Sequence, residues 1–75
     1  MNHPKTDSIL AVLNAHGRVV LRMNRASGFT QITITKSNGR YIIGTVPGGR
    51  LVQSSLAGVT LTLESNRMFI EAWKA

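Results

Sequence analysis

The apolar positions near the start of the chain follow the period of an α-helix. Ile9, Leu10 and Leu13 share one face of a helix that we predict over Thr6–His16. Gly17 follows as the expected stop, because glycine adopts the left-handed conformation that often ends a helix at little steric cost. The first element of the chain is therefore predicted to be a helix with one apolar side.

From residue 18 the pattern changes to an alternation of apolar and polar positions, which is typical of β-strands with one buried face. Asn38-Gly39 is the strongest turn signal, because both residues tolerate the positive φ of a two-residue hairpin turn. This turn pairs Ser37 with Arg40, and a second turn over residues 25–28 pairs the two preceding strands. Together the two turns place five apolar side chains on one face: Val19, Leu21, Ile32, Ile34 and Ile43.

The second half of the chain leaves more than one interpretation open. Leu51–Leu56 is predicted as a short edge strand or a single helical turn. Val59–Glu64 alternates cleanly and predicts a strand, and Ser65-Asn66 predicts a tight turn into a last strand that ends at Lys74. In the alternative, residues 66–73 form a helix, because their apolar side chains also share a helical face. We favour the strand, because its register pairs charges and apolar side chains at the same time.

These elements predict an α+β domain, in which one N-terminal helix packs on a bent antiparallel sheet of about five strands. The helix has to cover the apolar face, because a single sheet cannot bury that face by itself. A partly closed small barrel is the alternative form of the same sheet. Residues 1–5 are predicted to be a flexible tail, and residues 6–75 make one domain, because 75 residues cannot build two cores.

The charge of the chain narrows the classes of partner. Nine Lys and Arg face three Asp and Glu, which gives a net charge of +6. Six of the nine are Arg, whose planar guanidinium binds phosphate in a bidentate manner. Such an excess attracts polyanions, because binding releases their counterions. Net charge also keeps small proteins soluble, so charge alone does not establish a partner.

The predicted register gathers basic side chains on the polar side of the sheet. Arg18, Arg22 and Arg40 point away from the apolar face, with hydroxyl and amide side chains between them. We predict that these three contact phosphates of DNA or RNA, with Arg50 and Lys36 nearby. Low sequence specificity is expected, because no base-reading element is visible. A polar outer face is also the ordinary form of a half-buried antiparallel sheet.

A protein-interaction module is the rival hypothesis. Such a module would be a small regulator or inhibitor, from a phage or mobile element, that docks on an acidic surface of a larger protein while charge steers the association. Phe69 and Trp73 fall on the side opposite Met68 and Ile70 in the predicted last strand, and they form a candidate partner patch. Packing in the core is favoured for both rings, because large aromatics are more often buried. A homodimer through a sheet edge is compatible with either hypothesis.

Side chains for catalysis or cofactor binding are scarce. The chain has two histidines, His3 and His16, only three carboxylates and no cysteine. We therefore expect no metal site, no general acid–base pair and no disulfide, and hence neither an enzyme nor a cofactor. No apolar run approaches the ~20 residues of a membrane span, so we expect a soluble, cytoplasmic protein without a membrane partner.

Overall fold

The computed structural model describes residues 2–26, 28–46, 49 and 51–75. Its elements, in chain order, are α1 Pro4–His16, β1 Arg18–Arg25, β2 Gly28–Ser37, β3 Arg40–Val46, β4 Leu51–Ser54, α2 Leu56–Asn66 and β5 Ile70–Lys74. The strands form one five-stranded antiparallel sheet in the order β4-β3-β2-β1-β5. The sheet is open and does not close into a barrel. The predicted α+β class is confirmed, with a second helix that the sequence did not indicate.

The three-stranded meander β1-β2-β3 has the predicted register. Ser37 pairs with Arg40 across the Asn38-Gly39 turn, and Asn24 pairs with Phe29 across the first turn. Asn38 and Gly39 both have positive φ, 50° and 77°, as a two-residue hairpin turn of this type requires. The five apolar side chains predicted to share a face do so: Val19, Leu21, Ile32 and Ile34 are buried, and Ile43 is packed against them.

α1 begins at Pro4, two residues earlier than predicted. Proline suits the first turn of a helix, because its missing N–H would have no partner there. The His3 side chain caps the helix by accepting a hydrogen bond from the Lys5 backbone N–H at 3.1 Å. Gly17 ends the helix as expected, with φ of 73° and its N–H donated to the Leu13 carbonyl at 2.7 Å.

The largest difference from the prediction lies at residues 56–66, which form α2 instead of a strand over Val59–Glu64. The predicted hairpin between residues 59–64 and the last strand is therefore wrong. The Ser55 hydroxyl caps α2 by accepting the Gly58 N–H at 3.2 Å. This contact satisfies one of the backbone donors that every helix leaves free at its first turn.

Which apolar side chains of residues 59–64 are buried distinguishes the helix from the predicted strand. Val59, Leu61 and Leu63 alternate with polar residues, which is the pattern that suggested a strand. Val59 and Leu63 are also four residues apart, so one helical face carries both of them into the core, where they are buried. Leu61 lies on another side of the helix and is 67% exposed. The core therefore contains Val59 and Leu63 but not Leu61.

β5 confirms the strand prediction for the end of the chain, but its partner is β1. Met23 pairs with Ile70 and Arg22 with Ala72, so Glu71 is the extra residue of a β-bulge. One extra residue shifts the alternation by one position. Ile70 and Trp73 therefore both lie on the core side. Without the bulge, strict alternation would place them on opposite sides of the sheet.

Both helices lie on the same face of the sheet and build the core there. α1 packs on β1 and β2, and α2 packs on β3 and β4. The buried cluster joins side chains of both helices to those of the strands, so neither helix of the described residues lies on the opposite face of the sheet. Neither described helix has the length and apolar character needed to cross a membrane.

Candidate nucleic-acid interface

The face of the sheet that the helices leave uncovered is called the open face here. The strand register assigns side chains to it, because residues that pair across strands point to the same side. The open face carries few apolar side chains. Val20 and Ile42, near the centre of the sheet, are half-buried, whereas Phe29 and Leu51, toward its margins, are exposed. The members with described side chains are Arg18, Val20, Arg22, Asn24, Phe29, Gln31, Thr33, Thr35, Ser37, Arg40, Ile42, Gly44, Leu51, Gln53, Ala72 and Lys74.

Among the residues that the structure describes, four exposed cations lie on the open face: Arg18, Arg22, Arg40 and Lys74. Arg18 and Arg22 are four residues apart on β1, which separates their Cα atoms by about 13 Å. Lys74 pairs with Val20, midway between them on the neighbouring strand. Arg40 lies two strands away, beside the β2–β3 turn. Positive charge is thus spread over three strands of one surface.

The acidic residues lie elsewhere or at the margin of this surface. Asp7 and Glu64 belong to the two helices, on the opposite side of the sheet. Glu71 is the extra residue of the bulge in the edge strand β5. The residues that the register assigns to the open face include no carboxylate.

Lys5, Arg25 and Arg67, which lie away from the open face, hydrogen-bond to the protein itself. Lys5 Nζ donates to the carbonyls of Arg67 and Ile70, at 2.9 Å each, and Arg25 donates to the Asn66 side chain. Within the described residues, the open-face arginines make no comparable hydrogen bond. Their donors therefore face solvent and are available to an anionic ligand.

The carboxylate of Glu64 has a structural task on the helix side. The Thr6 hydroxyl and the His3 backbone N–H donate to it, which ties the start of α1 to the end of α2. The Thr6 hydrogen bond is the main cause that holds the pKa of Glu64 below its ordinary value, and the His3 backbone contact adds to it. Thr6 itself is fully buried, so the hydrogen bond also satisfies its hydroxyl.

Phe29 belongs to the open face, although the sequence analysis did not assign it to a site. The guanidinium of Arg22 lies over its ring, 4.2 Å from the centroid. This cation–π contact holds Arg22 in place while the ring remains 57% exposed. The predicted register contained the signal, because it pairs Phe29 with Asn24 and so directs it away from the core.

A shallow depression of about 290 Å³ lies on the open face beside Arg22. It forms where Ala72 of β5, a small side chain, stands next to Arg22 in the sheet. The depression is lined by Val20, Arg22, Gln31, Ala72, Trp73 and Lys74. Basic, amide and apolar side chains thus lie together around this depression.

Two of the predicted phosphate-binding residues are not placed with the others. Lys36 pairs with the buried Tyr41, so its side chain leaves the sheet on the helix side, opposite Arg18 and Arg22. Arg50 lies outside the described residues. Lys74 takes a position that the sequence analysis did not assign, because only the pairing of β5 with β1 brings it to the open face.

The two aromatic residues of the predicted partner patch have different surroundings. Phe69 is 43% exposed in the turn before β5, where the Arg25 guanidinium lies 5.7 Å from its ring centroid. Trp73 is half-buried and packs against the core cluster. The packing that the sequence analysis favoured therefore holds in part for Trp73 but not for Phe69.

Comparisons of the chain with family models, with curated proteins and with solved structures found no match. Among the described residues, no three His, Asp or Glu side chains are grouped to hold a metal ion. What indicates a function is therefore the charge, exposure and register of the open face.

Proposed function

We propose that this chain is a small, basic, non-catalytic protein of the cytoplasm that binds DNA or RNA through the open face, with low sequence specificity. The observation that carries the proposal is the gathering of Arg18, Arg22, Arg40 and Lys74 on a helix-free sheet face to which the register assigns no carboxylate. A polyanion is the ligand class that such a surface attracts most strongly, because each neutralised phosphate releases counterions.

The groups between the cations suit the same ligand. Gln31 is exposed, and Thr33 and Thr35 are partly exposed in the strand between β1 and β3. Their amide and hydroxyl groups donate hydrogen bonds to phosphate and sugar oxygens. The open face therefore offers donors along the path between the charged side chains, as a backbone-tracking site requires.

Low specificity follows from where the helices lie. Both helices pack on the other face of the sheet, so neither stands beside the open-face cations as a recognition helix for the major groove. Phosphate contacts fix the position of a protein on nucleic acid but carry little sequence information. We expect oligonucleotides of different sequence and equal length to bind with similar affinity.

Fluorescence anisotropy with labelled oligonucleotides over a salt series tests the proposal. Arg18→Ala/Arg40→Ala is expected to weaken binding and to make the log–log salt slope less steep by about 2, one for each lost phosphate contact. Lys36→Ala/Arg67→Ala is the matched control, because it removes the same charge from positions outside the open face. Equal losses in both variants, or no binding by the wild type near physiological salt, would overturn the assignment.

A second candidate, docking on another protein, is favoured by one observation. Leu51 is 72% exposed and Leu56 51% exposed at the β4 edge, within residues 51–63, which contain no charged side chain. Apolar exposure of this kind marks protein interfaces more often than phosphate sites. Leu56→Ser, in α2 and outside the open face, would weaken binding to such a partner in a pull-down, whereas it would leave nucleic-acid affinity unchanged.

A further inference from the structure

The depression on the open face combines features that a phosphate site does not need. Gln31, Arg22 and Ala72 stand side by side on β2, β1 and β5, and Val20 pairs with Lys74 in the next row. Ala72 and the half-buried Val20 provide an apolar floor, while the amide and the two cations form the rim. An apolar floor with polar groups at its rim is the ordinary form of a site for a planar, heteroatom-bearing ring.

Arg22 is prepared to stack on such a ring. Its guanidinium already lies over Phe29, which restrains it before any ligand arrives. Unpaired bases stack on aromatic rings and on arginine planes, and a restrained side chain loses less conformational entropy when it does so. The Arg22–Phe29 pair therefore suits a base that is free of its own stacking partner.

The dimensions of the sheet favour a single strand over a duplex. Five strands spaced about 4.8 Å apart make a surface roughly 19 Å across, whereas the major groove is about 12 Å wide and admits a helix or a two-stranded ribbon. The open face thus meets a duplex only at its outermost phosphates. The depression, about 290 Å³, lies just below the roughly 300–1,000 Å³ of small-molecule sites, which suits one ring better than a larger ligand.

We propose that the ligand of the open face is single-stranded nucleic acid, with one unpaired base seated in the depression against Arg22 and with Lys74 and Arg18 on the flanking phosphates. This inference rests on the proposed function and adds to it the strandedness of the ligand and the place of one base.

The first test measures the binding of five labelled probes of equal length to the wild-type protein. They are single-stranded DNA, single-stranded RNA, the corresponding duplexes, and a DNA strand of abasic sites that keeps the phosphates but lacks the bases. We expect at least one single strand to bind tenfold tighter than its own duplex, and the abasic strand to bind roughly five- to hundredfold more weakly than the single-stranded DNA. If the duplexes or the abasic strand bind as tightly as the single strands, no unpaired base occupies the depression, and this proposal is wrong while the proposed function is unaffected. If none of the probes binds, both this proposal and the proposed function are wrong.

A variant pair locates the base. Ala72→Leu fills the depression, and Ala11→Leu adds the same bulk at an exposed position of α1, on the other side of the sheet. Only Ala72→Leu should weaken the single strand, at least fivefold, while affinity for the abasic strand and the salt slope stay as in the wild type. Gln31→Leu, at the exposed rim, is the second variant if circular dichroism shows that Ala72→Leu does not fold. Wild-type affinity in the folded variant would place the base elsewhere and overturn the proposal.

Discussion

The covered face and the open face are built from the same strands and differ only in which alternate residues they receive. On β1, Leu21 is buried beneath the helices, while Arg22 beside it is exposed and lies over Phe29. Because side chains alternate strictly along a strand, one register fixes the core and the charged surface together. The side chains that stabilise the fold and those proposed to bind are therefore interleaved in sequence but separable by mutation.

The largest effect is expected on the covered face. Leu21→Ala removes a side chain that is 1% exposed in the core, and it should lower the free energy of unfolding by about 3 kcal/mol. Arg22→Ala, one residue away on the open face, should change it by less than about 0.5 kcal/mol. Urea denaturation measures both variants. Similar losses would mean that the two faces are not independent.

The next largest effect is expected in α2, where a buried and an exposed leucine can be compared. Leu63→Ala empties a buried position and should cost about 2–3 kcal/mol, whereas Leu61→Ala, on the solvent side of the same helix, should cost less than about 0.5 kcal/mol. In a strand over Val59–Glu64 the two leucines would share a face and behave alike. Thermal unfolding of both variants therefore tests the helix against the strand, and equal shifts would support the strand.

A smaller effect is expected at the turn that fixes the register of both faces. Gly39 has φ of 77° and open space where a side chain would begin, so Gly39→Ala meets only backbone strain. That strain should lower the free energy of unfolding by about 1 kcal/mol. Ser37→Ala, beside the same turn, is the control and should be nearly neutral. A neutral Gly39→Ala would show that the turn relaxes without disturbing the sheet.

The smallest effect concerns pH and the helix side alone. The hydrogen bonds from Thr6 and His3 lower the pKa of Glu64 in the folded state from its ordinary 4.5. The unfolded chain then binds more protons between the two pKa values. The stabilisation is therefore present above the ordinary value and is lost as pH falls through the folded pKa.

Glu64→Gln should therefore flatten part of the acid dependence of thermal stability as pH falls below the ordinary pKa of 4.5. Glu71→Gln is the matched control, because its carboxylate does not receive the hydrogen bonds that Thr6 and His3 give to Glu64. Single-stranded nucleic acid should bind Glu64→Gln as it binds the wild type. An acid profile identical to that of the wild type would show that these hydrogen bonds do not stabilise the fold.

Local signals predicted the meander and the face of the sheet on which three arginines of the candidate site lie. Asn38-Gly39 fixes the register of β2 and β3 through two residues that accept positive φ. Once the register is set, Arg18, Arg22 and Arg40 fall on one face without further information. The same register assigns Lys36 to the other face, so its grouping with the arginines did not follow from the pairing that was already predicted.

The second helix could not be predicted from alternation. Val59, Leu61 and Leu63 satisfy a period of two, and Val59 with Leu63 also satisfies a helical spacing. Ser55 was available as a helix cap, but serine is equally common in turns. The choice between helix and strand depends on what the core can bury, which is a property of the assembled sheet.

By itself, the sequence determined the α+β class, the first helix, the meander and the side of the sheet on which three arginines lie, because turns and alternation act between near neighbours in the chain. Only the tertiary structure decided the second helix, the bulge that turns Trp73 toward the core, and the pairing of β5 with β1 that brings Lys74 and Ala72 beside Arg22. Those contacts join residues about fifty positions apart, and no local pattern encodes a partner at that distance. The depression proposed to seat a base is built from such contacts.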